Sequence, residues 1–252
     1  MFLINKLSLQ TQEKTKGRKL TINNLDAVSL AIFKQSKNIK TKQAVYDIFE
    51  PDCSYKTLVV SLNRVAILSL IITKFFLNFN RTYGHPVKHT DSTDVPVCLN
   101  KNAKHHQTMR DLAAWGHGGK GWFYGLKLHL TSNLWRKIES ILFTPGNTHG
   151  TKAFIQLNRN LKGFFVADAE YISENLAKEF YELTGNILMA KPRKNMKKLM
   201  TLWQEQLYAT RMLIELNFRN LKEFYGLVTS LPRSVKGYLA NYIHSLLAYV
   251  IA

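Results

Sequence analysis

The stretch Gly125–Ser132, GLKLHLTS, sets Leu126, Leu128 and Leu130 against Lys127, His129 and Thr131. A period of two marks a half-buried strand, because successive side chains of an extended chain point to opposite faces. Around it the second half of the chain alternates in character. PVKHTDSTDVPVCL before it and KIESILFTPGN after it read as strands, the latter ended by the turn pair Pro145-Gly146. TKAFIQLNRNLKG then reads as a helix closed near Gly163, FFVAD as a short buried strand, and YISENLAKEFYELTG as a helix with Gly185 past its end. NILMAKP is another strand, followed by the helix YATRMLIELNFRNLK and a last helix, YLANYIHSLLAYV. Three strands able to form a meander, then alternating helices and strands, predict an α/β fold with a mixed sheet and helices on its faces. The stretch GHGGKGW, Gly116–Trp122, lacks the phosphate-loop pattern and reads as a flexible turn.

The first 82 residues read as all helical. TINNLDAVSLAIFKQ has Thr21 as a candidate N-cap, TKQAVYDIFE is stopped by Pro51, and SYKTLVVSLNRVAILSLIITKFFLNF starts from a Ser54 cap. No spacing in this region demands a helix-turn-helix. The apolar window VAILSLIIT lies between Arg64 and Lys74 and is shorter than the roughly 20 residues a bilayer span needs. It reads as a buried helix, and no membrane partner is expected. The N-terminus has no apolar run of signal-peptide form.

Charge narrows the partner. A formal net charge of +18 on 252 residues, 46% of them hydrophobic, describes a folded chain that seeks a polyanion, nucleic acid first. Cys53 and Cys98 are the only cysteines and make neither a zinc motif nor a disulfide framework, which fits a reducing cytoplasm. His105-His106, His117 and His129 lack metal-ligand spacing.

On a single helix of about 3.6 residues per turn, Tyr208 at zero places Arg211 near 300°, Glu215 near 340° and Lys222 near 320°. The four share an arc of about 60°. Leu207, Leu213, Ile214, Phe218, Leu221, Phe224 and Tyr225 form the neighbouring core arc, with Met212 and Leu216 breaking the division. Two other acids stand out. Asp91 lies inside a strand-like run, and Asp168 lies at the end of a buried strand, where open sheets place ligand sites. Each has a local reading: an Asx-turn for Asp91, a helix cap for Asp168, an i−4 pair with Arg211 for Glu215. Three converging carboxylates would repel unless compensated, and Mg²⁺ or Mn²⁺ compensates them with hard-oxygen coordination. KPRKNMKK contributes Lys191, Arg193, Lys194, Lys197 and Lys198 as candidate phosphate contacts. Trp203 beside it is expected to be buried rather than to stack on an extruded base.

HTDST, GWFYGLKLHL, TPGN, FFVADAEYIS, KPRKNMKK and YATRMLIELNFRNLK together resemble the DDE transposases of bacterial insertion sequences. The order Tyr208, Arg211, Glu215, Lys222 matches the Tyr-Arg-Glu-Lys signature of one large group of them. The resemblance runs from about Arg18 to the C-terminus. It implies a ribonuclease-H-like mixed five-stranded sheet flanked by helices (residues 83–252), behind an N-terminal all-helical, DNA-binding region (residues 1–82). It also implies that Asp91, Asp168 and Glu215 are catalytic metal ligands, and that Tyr208, Arg211 and Lys222 contact phosphates. The expected activity is Mg²⁺- or Mn²⁺-dependent cleavage and strand transfer on double-stranded DNA, element ends and target. The expected protein is a cytoplasmic homodimer in the DNA complex, nucleoid-associated when bound. The alternatives are a catalytically inactive, transposase-derived DNA-binding protein and a general nuclease. Two departures from many relatives stand out: Ala169-Glu170 in place of Lys-Gly, and His149-Gly150 after TPGN where acids are usual.

Overall fold

A computed structural model describes residues 19–192, 196 and 199–252. Among the described residues four helices come first: α1 (Asn24–Ser36), α2 (Lys42–Phe49), α3 (Tyr55–Arg64) and α4 (Ala66–Thr82). Asn23, not Thr21, caps α1, its Oδ1 accepting the Asp26 N–H at 2.8 Å. Ser54 caps α3 as expected, accepting the Thr57 N–H at 3.2 Å. The predicted long helix from Ser54 is interrupted at Val65 (ψ 5°), so α3 and α4 are separate elements. By length and composition Tyr55–Thr82 could cross a bilayer. Its Leu58, Leu62, Ile72 and Leu77 are instead packed in the protein interior, while Ile67, Ile71, Phe75 and Phe79 face outward.

Among the described residues six strands follow, interleaved with five more helices. They are β1 (Val87–Pro96), β2 (Ala114–Gly118), β3 (Gly121–Asn133), β4 (Ile138–Pro145), α5 (Gly150–Asn158), β5 (Phe164–Ala167), α6 (Glu174–Thr184), β6 (Ile187–Ala190), α7 (Leu202–Ala209), α8 (Met212–Glu223) and α9 (Val235–Val250). The sheet order is β2-β3-β1-β5-β6, with β4 also paired to β3. β1 runs antiparallel to β3, with Asp91 opposite Leu130, and parallel to β5, with Thr90 opposite Ala167. β6 is parallel to β5, joined through the crossover helix α6 that parallel pairing requires. This is the mixed, helix-flanked, ribonuclease-H-like α/β fold, and it sets the first strand beside the strand FFVAD.

The sixth strand corrects the sequence reading. GHGGKGW is no loose turn: Trp115 pairs with Tyr124 and His117 with Trp122, so β2 and β3 form a hairpin. Its glycines concealed the alternation, yet they are required. A Cβ on Gly116 would overlap the Gly146 carbonyl.

One face of the sheet buries Leu126, Leu128 and Leu130 against Ile214, Phe218 and Leu221 of α8 and Tyr238, Tyr242 and Leu246 of α9. The other buries Phe165 and Ala167 against Phe154 of α5 and Leu176 and Phe180 of α6. Each such side chain contributes roughly 1.5–3 kcal/mol by leaving water. The N-terminal helices close their own core over Ala27, Val28, Ala31, Leu58 and Leu62, and Leu247 of α9 completes it. Gln35 Nε2 donates to Asn241 Oδ1 at 2.9 Å. The C-terminal helix therefore packs against both the sheet and the helical region that precedes it.

Gly163, read as the end of a helix, stands beyond it, since α5 stops at Asn158. Its φ is +141°, and a Cβ there would overlap the Pro86 carbonyl. Phe164 N–H donates to that same carbonyl at 2.9 Å, so the carbonyl cannot yield. Gly163→Ala is expected to destabilise the fold by about 2–4 kcal/mol, combining a strained φ with a backbone clash. Urea unfolding measures it, and a loss under about 1 kcal/mol would show that the β1–β5 entry relaxes freely.

Candidate active site

Asp91 sits midway along β1, and Asp168 immediately follows β5. Because Thr90 is paired with Ala167, the two carboxylates lie at consecutive register on neighbouring parallel strands. Asp168 and Glu215 make the local contacts expected of a cap and an i−4 pair. Asp91 forms no Asx-turn, since it lies inside a strand and the backbone N–H it accepts is the next one. Asp91 Oδ1 accepts the Ser92 N–H at 2.7 Å, Asp168 Oδ1 accepts the Ala169 N–H at 2.7 Å, and Arg211 Nη2 donates to Glu215 Oε1 at 2.7 Å. Convergence comes from the other partners. Arg211 Nη1 donates to Asp91 Oδ2 at 2.8 Å, so one guanidinium spans Asp91 and Glu215. The Tyr208 hydroxyl donates to Asp168 Oδ1 at 3.0 Å, and Arg211 lies 5.6 Å from the Tyr208 ring centre. All three acids thus meet one phenol–guanidinium pair.

The helix that carries this pair differs from expectation. Tyr208–Lys222 is not one helix: α7 ends at Ala209 and α8 begins at Met212. Across the junction the bonds are of i→i+3 type, Arg211 N–H to Tyr208 O at 3.0 Å and Ile214 N–H to Arg211 O at 3.1 Å. The single-helix wheel therefore misplaces Tyr208 relative to Glu215, although both still reach the same site. Of the expected core arc, Ile214, Phe218 and Leu221 are buried, while Phe224 is exposed.

What fixes the junction is His89, a residue the sequence reading passed over. His89 is buried, and burial, followed by the charges of Arg211 and His85, pulls its pKa down to about 4. It is therefore a neutral imidazole. The Thr210 hydroxyl donates to Leu207 O at 2.6 Å, which leaves its oxygen to accept from His89 Nε2–H at 2.8 Å. His89 and Asp91 are two apart on β1 and share a face, and they grip Thr210 and Arg211 in turn. The i, i+2 spacing in HTD was the available signal.

Burial pushes the Asp91 carboxyl up to about 7, with the Ser92 N–H and Arg211 opposing and Asp168 and Glu170 adding to the rise. The rise is thus chiefly the cost of holding a carboxylate out of water, which the Arg211 charge only partly offsets. Among the described residues no group of three or more His, Cys, Asp or Glu side chains is assembled to hold a metal ion. Arg211 stands between two of the acids. The donor chemistry nonetheless fits a hard divalent cation: the acids offer carboxylate oxygens, and two of them already share a cation.

The two departures noted in the sequence meet each other. Gly150 N–H donates to Glu170 Oε1 at 3.3 Å, and His149 Nε2 lies 3.4 Å from the same oxygen. Glu170 is thus held at the N-terminus of α5, where a helix dipole favours an anion.

Lys222 lies further along α8. Its pKa is lowered, chiefly by burial and then by Lys120, while Asp94 opposes. Lys191 Nζ stands 4.9 Å from the Tyr208 ring centre. Arg193, Lys194, Lys197 and Lys198 lie outside the described residues. Trp203, expected inside, is 56% exposed and edge-on to Phe164 at 5.4 Å.

No curated protein matches the chain. Among solved structures, the Mos1 transposase paired-end complex with left transposon end is similar at a TM-score of 0.27 and 10% identity, over 88% of this chain and 84% of that one. That likeness is too weak to argue from. The family model for the transposase DDE domain matches residues 82–235, which is more than half of the 252-residue chain and contains Asp91, Asp168 and Glu215. By that match the chain belongs to the DDE-domain transposases.

Proposed function

We propose that this chain is the transposase of a bacterial insertion sequence of the Tyr-Arg-Glu-Lys group. It cuts double-stranded DNA at the element ends and joins the freed 3′-hydroxyl to target DNA. The observation that carries the reading is the meeting of Asp91, Asp168 and Glu215 at Arg211 and Tyr208, three acids from a strand, a strand end and a helix. These acids would hold Mg²⁺ or Mn²⁺, which activates the attacking oxygen and stabilises the leaving one in in-line phosphoryl transfer.

The chain's own groups do the rest. Arg211 supplies the counter-charge for Asp91 and Glu215 in this structure. Its planar fork would serve as a bidentate donor for a phosphate were a divalent cation to supply that counter-charge instead. The Tyr208 hydroxyl likewise exchanges Asp168 for a phosphate oxygen. Lys191, beside Tyr208, and Lys222, further along α8, add positive charge for the DNA backbone. His89, through Thr210, is a positioning residue that keeps Arg211 in register with Asp91. The charge of +18 favours DNA throughout. A homodimer is the natural assembly, since two ends must be held together. The residues up to 82 serve DNA binding and residues 83–252 catalysis, in a cytoplasmic, nucleoid-associated protein.

Glu215→Gln tests the reading. With Mg²⁺ and a duplex carrying the element end, the wild type is expected to nick the strand and the variant to be slower by on the order of 10²–10³-fold, with duplex binding retained. Unimpaired cutting by the variant would remove Glu215 from the site. A wild type that binds ends yet never cuts would leave only the DNA-binding reading. Cutting without preference for ends would make it a general nuclease.

A further inference from the structure

A second strongly cationic site lies away from these acids, in a cleft of about 490 Å³ between α1, α2, α3 and the segment leading into α9. Lys34, Lys40, Lys42 and Arg233 line it, and no carboxylate does. Lys34 is only 7% exposed, and its ammonium group, which opens onto the cleft rather than being sealed in the core, has neither a hydrogen bond nor an ion pair among the described residues. Lys42 Nζ has one neutral partner, Asn63 Oδ1 at 2.7 Å. Two helices also begin here. Thr41 and Lys42 at the start of α2, and Ser234 and Gly237 at the start of α9, line the same cleft. Each N-terminus adds partial positive charge.

Such a concentration of one sign opposes folding unless something offsets it. Lys34 is driven down to about 8, by burial first and then by Lys42 and Lys40, and buried His244 beneath is depressed by burial and by the same Lys42 and Lys34. An ammonium held largely out of water without a partner is costly, and a hydrophobic residue in its place would cost nothing of the kind. A bound anion resolves the conflict, and two helix N-termini with flexible lysines form the usual receptor for a phosphate group.

We propose that this cleft is an anion site that takes a phosphate group, held by Lys34, Lys42 and the N-termini of α2 and α9. Two sources share that chemistry: the backbone of a DNA duplex and a free phosphoanion. The duplex source would deepen the proposed DNA-binding role of the N-terminal helices, whereas the free source stands without it.

The test uses the full chain at constant ionic strength and neutral pH. Sodium pyrophosphate is expected to raise the melting temperature of the wild type by several degrees over sodium chloride, and to do so far less for Lys34→Met or Lys42→Gln. Lys34→Arg should retain the effect. Without anion, Lys34→Met should melt no lower than wild type, since it removes an unpartnered buried charge. The source is read from duplex binding. If backbone phosphate is the ligand, Lys34→Met weakens duplex binding by about 3–10-fold and lowers the slope of log affinity against log salt by about 1. If the ligand is free phosphate, duplex affinity is unchanged while the pyrophosphate shift remains. A pyrophosphate shift equal in wild type and both variants, with duplex affinity also equal, overturns the site. Cleavage is read in neither arm, so failure here is separate from failure of the transposase reading.

Discussion

Asp91→Asn is expected to abolish strand cleavage, by on the order of 10³-fold or more, while leaving the protein folded and bound to DNA. The substitution keeps the shape and one of the contacts, because an amide oxygen still accepts the Ser92 N–H. It removes the negative charge that Arg211 and a divalent cation would both need. Duplex affinity should hold or rise slightly, since one negative charge is taken from a cationic surface. Stability should not fall much. The Asp91–Arg211 pair has both side chains 16% exposed, and its attraction is offset by the burial that lifts the Asp91 carboxyl to about 7. Burial outweighs the attraction, while Arg211 loses a partner, so a melting temperature within a few degrees of wild type is the expected outcome. Three readings on one preparation decide the matter: cleavage with Mg²⁺ and with Mn²⁺, duplex affinity, and thermal unfolding. Cleavage at the wild-type rate would dismiss Asp91 from the chemistry, and collapse of the fold would make it a structural acid.

The elements of this fold were legible wherever one period dominated. GLKLHLTS and FFVAD are strands, as alternation and continuous apolarity predict. The first is buried on both faces, His129 and Thr131 included, rather than on one. The place of FFVAD beside the Asp91 strand is what the family resemblance implied. The misreadings share a physical cause, namely tertiary contacts overriding local pattern. AWGHG pairs as a strand because close backbone approach demands glycine, and glycine erases alternation. The junction between α7 and α8 carries good helix formers throughout. It tightens because Thr210 is tied both to Leu207 and to His89, some 120 positions earlier in the chain. No helical wheel contains a partner on a distant strand. Ser54, by contrast, caps through a hydroxyl three residues from the N–H it accepts, so the sequence showed it directly. At the site, the three acids and their basic company were visible as residue types at a spacing. That Arg211 itself would bridge two of them was visible only as the i−4 half, with Glu215. Likewise Glu170 and His149 each looked out of place, and only the fold puts them 3.4 Å apart.

Lys88→Met should be the most destabilising single change in the sheet. Lys88 in β1 is 3% exposed and Glu139 in β4 is fully buried, and their Nζ and Oε2 are 2.6 Å apart. Lys88 Nζ also donates to His85 O at 3.0 Å, and Glu139 Oε1 accepts from Asn133 Nδ2 at 2.9 Å. The pair sits where α4 joins the sheet, for Asn80 and Arg81 donate to the Ile138 and Glu139 carbonyls at 2.8 and 2.7 Å. Removing one partner strands the other charge in the interior, a loss of about 3–5 kcal/mol, or roughly 6–20 °C in a chain of this size. The loss should depend on pH in a definite direction. Burial already raises the Glu139 carboxyl above its ordinary range, with Lys88 the main opposing influence. Without Lys88 it rises further, so between the unfolded and folded values the native state holds a proton that the unfolded state lacks. Stability then falls as pH rises through that window. The variant's deficit should therefore shrink at pH 5 and widen at pH 8. Lys88→Met/Glu139→Gln should recover much of the loss at pH 8, because it removes the stranded charge. Urea unfolding of the four proteins at both pH values measures the coupling. A single-variant deficit that is small and the same at pH 5 and pH 8 would mean that water reaches Glu139 and the pair holds nothing together.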